Sequence, residues 1–230
     1  MWKQNVIRAI LNVYLRIFHR YQFHPHPGMP KSGAHVILTS HFSILDTVVL
    51  MVADPFKPYG AMVVKEEALK TPIMGTILGW WGAIGVGRNG HDSLAVREML
   101  RRLDRGQGVA IAPEGTRNRT GRLGPMNAVV IRLVLSMACR GIPVFPVVEI
   151  GTFEAMPPGS FLPRPGKVDV WTGPTMDFSR WCGKKVTDTQ VAEAAAYIRE
   201  TLSNMLPPER RPIPGSPDVT NALPLAAGSR

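Results

Sequence analysis

From Trp2 to Tyr21 apolar residues recur at steps of three and four, at Trp2, Val6, Ile10, Tyr14, Ile17 and Tyr21. Ile7, Leu11 and Phe18 widen the stripe, and no Pro or Gly interrupts it. This period predicts an amphipathic helix. Lys3, Arg8, Arg16 and Arg20 occupy polar positions, and no acid occurs before Asp46. An apolar face with basic flanks and terminal aromatics suits a bilayer interface. Charges interrupt every apolar run, so the segment reads neither as a secretory signal nor as a span, which needs about 20 apolar residues. Residues 1–23 are therefore expected to form a membrane-interface helix. Residues 24–34, with His24-Pro25-His26-Pro27, read as a Pro-rich connector with solvated histidines.

Beyond the connector the period switches repeatedly. Short strand-like runs (35–39, 59–64, 83–87, 109–112, 144–150, 168–171) alternate with helix-like segments (44–53, 72–81, 93–103, 127–140, 187–206). Asp92 is a candidate N-cap for the third of these helices, and Thr187 with Gln190 has the spacing of a capping box. Such alternation predicts an α/β domain over residues 35–206, built on a single mixed, mainly parallel sheet flanked by helices. Residues 207–230 are proline-rich without a period and read as a disordered tail.

Composition narrows the partners. The 230 residues are 45% hydrophobic, which excludes global disorder, and carry a formal charge of +10. Two cysteines, Cys139 and Cys182, exclude a disulfide scaffold; one bridge between them is open but unforced, and two free thiols are the expected reading. The positive excess implies an anionic partner: nucleic acid, an anionic membrane or a phosphorylated substrate. No helix-turn-helix, RNP or finger pattern supports nucleic acid.

Two clusters carry chemistry. His41-Phe42-Ser43-Ile44-Leu45-Asp46 follows the first strand of the domain, at the strand end where open α/β sheets bind ligands. On one helix, positions five apart point about 140° away from each other. His41 and Asp46 meet only if the histidine lies in the turn before the helix. Asp46 would then fix the imidazole tautomer, leaving the other nitrogen a base suited to deprotonating an alcohol. In the second cluster, Pro113-Glu114-Gly115-Thr116-Arg117 follows another strand, and Arg88 ends the strand before it. Arginines and free backbone N–H groups at such turns suit phosphate. Gly85-Val86-Gly87-Arg88-Asn89-Gly90 matches a dinucleotide fingerprint, but its helix would begin after the third glycine rather than under the second. No Walker loop and no G-x-S-x-G elbow is present.

On these blocks the chain resembles the glycerolipid acyltransferases of the lysophosphatidic acid acyltransferase type. Ser40-His41 through Asp46 matches N-H-x-x-x-x-D, and Gly82 to Arg88 matches a strand ending in Arg. Pro113 to Arg117 matches F-P-E-G-T-R-S, and Ile142-Pro143-Val144-Phe145-Pro146-Val147 matches the fourth block. Lys65 to Leu69 is similar to the stretch between the first two. The resemblance implies the glycerolipid acyltransferase fold, with His41 as base and Asp46 orienting it. Arg88 and Arg117 would hold the acceptor phosphate, and Glu114, Gly115 and Thr116 would shape its pocket. Ser43, Lys65 and Pro143 would support the site. It implies acyl-CoA or acyl carrier protein as co-substrate, no cofactor, no metal, no nucleic acid, and a peripheral or monotopic place on the cytoplasmic face of the cell membrane. Pro125-Met126-Asn127-Ala128-Val129 stands where the family commonly has F-K-x-G. This departure opens the acceptor to lysolipids other than lysophosphatidate, such as an acylated amino-acid lipid.

Overall fold

The computed structural model describes residues 2–29, 32–53, 59–87, 93–160, 162–183 and 186–221. Helix α1 (Trp2–His19) leads into strand β1 (Gln22–His24) and strand β2 (His35–Thr39), followed by α2 (Ile44–Ala53) and β3 (Ala61–Lys65). Then come α3 (Glu66–Leu69), α4 (Pro72–Trp81), β4 (Ile84–Val86), α5 (Ser93–Asp104) and β5 (Gly108–Ile111). The second half holds β6 (Met126–Asn127), α6 (Ala128–Ala138), β7 (Val144–Ile150), α7 (Thr152–Ala155), β8 (Asp169–Thr172), α8 (Asp188–Met205) and β9 (Val219–Thr220).

Seven strands form one sheet in the order β1-β8-β7-β2-β5-β3-β4. The run from β7 to β4 is parallel, and β8 is antiparallel to β7. Alternate side chains of each strand serve opposite layers. Val36 and Leu38 face α5, α6 and α8, whereas Ile37 faces α1, α2 and α4. Strand β2 is buried throughout, and its centre Val36-Ile37-Leu38 is apolar on both faces, as a central parallel strand requires. The strands β2 and β5 are adjacent, with Leu38 opposite Ile111, so both turns that leave them emerge side by side.

Four features differ from the sequence reading. Helix α1 stops at His19 because Arg20 adopts a left-handed conformation (φ 42°). Residues 22–24 then pair with β8 instead of extending the helix. His24 is not a solvated linker residue: its Nε2 lies 2.9 Å from Asp169 Oδ1 and its ring stacks on Trp171. Cys139 and Cys182 are disulfide-bonded, with Cα atoms 5.2 Å apart. A separation of 43 residues carries no local signal, and only the packing of α6 and the 173–183 segment on the same core brings them together. Finally, residues 207–221 are folded back along the domain. Arg199, buried on α8, donates to Ser216 O (3.0 Å) and Asp218 Oδ1 (2.7 Å), and β9 pairs with β6. A buried guanidinium needs acceptors, and this segment supplies them.

Candidate active site

The turn after β2 starts the site. Helix α2 begins at Ile44, so His41 precedes it while Asp46 occupies its first turn. His41 Nδ1 lies 3.0 Å from Asp46 Oδ2. The same oxygen accepts the backbone N–H groups of Phe42 and Ser43, each at 2.8 Å. Asp46 thus caps its own helix and grips the histidine at once. The Asp46 side chain is 2% exposed against 27% for His41, so the acid is fixed and the imidazole opens outward. Ser43 Oγ donates to Met156 O at 2.7 Å and accepts Leu45 N–H, tying the turn to the end of α7.

The turn after β5 lies against it. Asn118 N–H donates to His41 O at 2.8 Å. Glu114 points inward and is buried. Its Oε1 accepts Gly124 N–H at 2.7 Å and its Oε2 faces His41 N–H at 3.4 Å. Burial raises its pKa to about 7, and the two backbone donors, the His41 charge and the Asn118 side chain hold it down from going higher. Glu114 therefore braces the two turns against each other. Gly115 has φ +71°, and a Cβ there would meet Asn127 at 3.2 Å. The glycine is needed on both counts.

Arg117 is the cation at this edge. Burial and then Arg119 lower its pKa, opposed by Asp46. The guanidinium thus stands within electrostatic reach of the His41–Asp46 pair. Thr116 is half-buried beside it. Lys65 ends β3 at the same edge and is exposed. Arg88 lies outside the described residues, as do Gly90 and Asp92. Pro143 is at the opposite edge: its carbonyl accepts Val36 N–H at the start of β2. At about 3.3 Å per residue, this lies roughly 16 Å from His41, too far to support the site. Pro146, opposite Leu38, is the proline of that block nearer the active edge.

Two residues here escaped the sequence reading. Glu149 on β7 is buried, and Thr39 Oγ1 lies 2.7 Å from both its carboxyl oxygens. Burial first, and then the Asp46 charge, push its pKa well above the ordinary range, against the Thr39 bond. The only signal was one acid within an otherwise apolar strand. Arg199 was the other. Its Nε donates to Gly124 O at 3.2 Å, so it steadies the peptide that braces Glu114. Asn127, in the segment that departs from F-K-x-G, caps α6 through bonds from Val129 N–H and Val130 N–H.

The acyltransferase family matches residues 20–149, which span both turns and the strands that carry them. The chain belongs to the acyltransferase family. This acyltransferase is 26% identical over 206 residues to a 1-acyl-sn-glycerol-3-phosphate acyltransferase of Pseudomonas aeruginosa, covering 88% of this chain and 76% of that one. It is 26% identical over 190 residues to a protein of the same name from Limnanthes douglasii, covering 81% of this chain and 63% of that one. Its fold matches the crystal structure of the 1-acyl-sn-glycerophosphate acyltransferase PlsC from Thermotoga maritima, with a TM-score of 0.65 at 20% identity over 88% of this chain and 78% of that one. Among the described residues, no helix is long and apolar enough to cross a membrane, and no group of three or more His, Cys, Asp or Glu is placed to hold a metal.

Proposed function

We propose that the acyltransferase moves a fatty acyl group from a thioester, acyl-CoA or acyl carrier protein, onto the free hydroxyl of lysophosphatidate, giving phosphatidate. The observation that carries this is the His41–Asp46 contact at 3.0 Å, with the acid enclosed and the imidazole open. An ionised carboxylate only accepts hydrogen bonds, so the shared proton sits on Nδ1 and the lone pair is on Nε2. The acceptor hydroxyl gives its proton to Nε2 while its oxygen attacks the thioester carbonyl. As the C–S bond breaks, the imidazolium returns that proton to the departing sulfur. Asp46 stabilises the transient imidazolium. Arg117, together with Arg88 from the segment after β4, binds the acceptor phosphate by charge-assisted bonds. Lys65 adds charge at the same edge, and Glu114, Gly115, Thr116 and Ser43 hold the turns. No cofactor enters the reaction.

The enzyme works on a membrane surface, at the cytoplasmic face, held by α1. Trp2, Val6, Ile10, Val13 and Ile17 form an exposed apolar stripe, while Ile7 and Leu15 on another face pack on the domain. A helix apolar on two faces has one left for lipid.

A second acceptor, another lysolipid such as an acylated amino-acid lipid, is favoured by one observation. Asn127 is spent on capping α6 in the segment that lacks the family's F-K-x-G lysine. The test is purified protein with a panel of lysolipids and a labelled acyl-CoA, products identified by mass. Transfer to lysophosphatidate that is abolished in His41→Ala supports the main reading. Transfer only to another lysolipid selects the second, and full activity in His41→Ala overturns the base.

A further inference from the structure

A cleft of about 360 Å³ lies apart from the catalytic residues, none of which line it. It lies between α1, β1 and the end of α2, and its lining includes Asn5, Arg8, Asn12, Arg16, Tyr21 and Val52. Two guanidiniums and two amides face it, and no carboxylate does among the described residues. Arg8 is fixed in advance: Nε and Nη2 donate to Val52 O at 3.2 and 3.0 Å, and Nη1 reaches Tyr59 Oη at 3.4 Å. Tyr59 Oη in turn donates to Asn5 Oδ1 at 2.9 Å. Arg16 spends only Nε, on Asn12 Oδ1 at 3.1 Å, and its terminal amino groups have no partner among the described residues. Neither arginine is paired with an acid among the described residues. The buried Tyr21 hydroxyl has no hydrogen-bond partner among the described residues and feels the charges of Arg8, Arg16 and Glu149.

Placement on the helix supplies the rest. With about 100° per residue, Asn5, Ala9, Asn12 and Arg16 form a ridge directly beside the exposed stripe of Trp2, Val6, Ile10, Val13 and Ile17. A polar, cationic cleft beside an apolar stripe matches one ligand shape: a phosphate with acyl chains attached. We infer that this cleft seats the phosphodiester of a membrane glycerophospholipid, with Arg16 and Arg8 on the phosphate oxygens and the lipid chains along the α1 stripe. Guanidinium groups suit phosphate because their planar donors engage two oxygens together. This site is separate from the acceptor site at the His41 edge. It rests on the reading that α1 lies on the bilayer but not on any acyl transfer.

The experiment measures binding of the full chain to phosphatidylcholine vesicles containing phosphatidylglycerol, or oleate at matched surface charge. Phosphatidylglycerol is used because it is neither acceptor nor product of the proposed reaction. A phosphate seat predicts about tenfold tighter binding to the phosphatidylglycerol vesicles than to the oleate ones. Arg16→Gln should erase that ratio. Lys3→Gln, a cation on α1 outside the cleft, should weaken binding to both vesicles by about fivefold and leave the ratio intact. Arg16 is exposed, so the variant should fold, and an unchanged melting temperature verifies this. Equal binding to both vesicles, a ratio that survives Arg16→Gln, or equal losses in the two variants would overturn the seat and leave a basic face that reads charge alone. Binding to neither vesicle overturns it together with the bilayer reading, while transfer to soluble lysolipid in the panel above would still stand. Inorganic phosphate that competes as well as phosphatidylglycerol overturns the lipid as its source.

Discussion

Asp46→Asn is the sharpest perturbation of the proposed chemistry. Asp46 Oδ2 accepts three donors, from Phe42 N–H, Ser43 N–H and His41 Nδ1, and Oδ1 is buried with no partner among the described residues. In the variant the amide oxygen must keep the Oδ2 place, or the amide nitrogen would face two N–H donors. Its NH2 then occupies the buried Oδ1 position without an acceptor, which costs about 1–3 kcal/mol of stability. The effect on rate has a different origin. A neutral amide still orients the imidazole but no longer offsets its positive charge. At an effective dielectric of about 20, unit charges about 4 Å apart attract by about 4 kcal/mol. That is roughly a thousandfold in the rate of the chemical step. The assay follows thiol release from acyl-CoA with saturating lysophosphatidate, beside a melting curve for each variant. His41→Ala should lose at least as much, and the double variant should be no worse than His41→Ala alone, because the two residues act as a unit. An Asp46→Asn rate within tenfold of the wild type, or losses that multiply in the double variant, would refute the pairing.

Three further outcomes follow from the geometry. Glu114 has a folded pKa of about 7 against an ordinary 4.5, so the folded state binds the extra proton. Its contribution is complete below about pH 4.5 and is lost as pH rises through about 7, by up to about 3 kcal/mol; chemical denaturation at pH 5 and pH 8 should show that decline for the wild type and not for Glu114→Leu. Reducing the Cys139–Cys182 bond frees a loop of 43 residues, and loop entropy predicts a loss of up to about 4 kcal/mol, read as a lower denaturant midpoint with reductant. Arg199→Met removes donors to Gly124, Ser216 and Asp218 and, because Asp218 is exposed and keeps its water, should destabilise by about 1–3 kcal/mol, with hydrogen exchange rising first in residues 207–221.

Much of the architecture was legible because its signals are local. The period switches mark the strands and helices of the domain, and the ends of β2 and β5 place His41 and Glu114 at one edge. Thr187 and Gln190 form the capping box their spacing suggests. What the sequence concealed depends on contacts between distant segments. Cys139 and Cys182 meet only after α6 and the 173–183 segment dock on one core. Residues 207–221 have few apolar groups, and their order comes from polar contacts to Arg199, which no period encodes. Glu114 makes a brace between the two turns that was not legible from its neighbours in sequence. Its inward turn becomes visible only with Gly124 N–H in place. Pro143 was misplaced because a proline at the head of a block says nothing about which end of the strand faces the ligand.

The clasp on Arg199 has a consequence for how the enzyme comes off the ribosome. Gly124 braces Glu114, Arg199 holds Gly124, and Ser216 and Asp218 hold Arg199. The turn at residue 41 is translated more than 170 residues before Asp218, the last link in the relay that steadies it. A nascent chain that stops short of Asp218 can carry every motif and still present a loose turn. Order at the His41 turn is thus completed only once residues 216–218 have left the ribosome, whatever chemistry the turn goes on to perform.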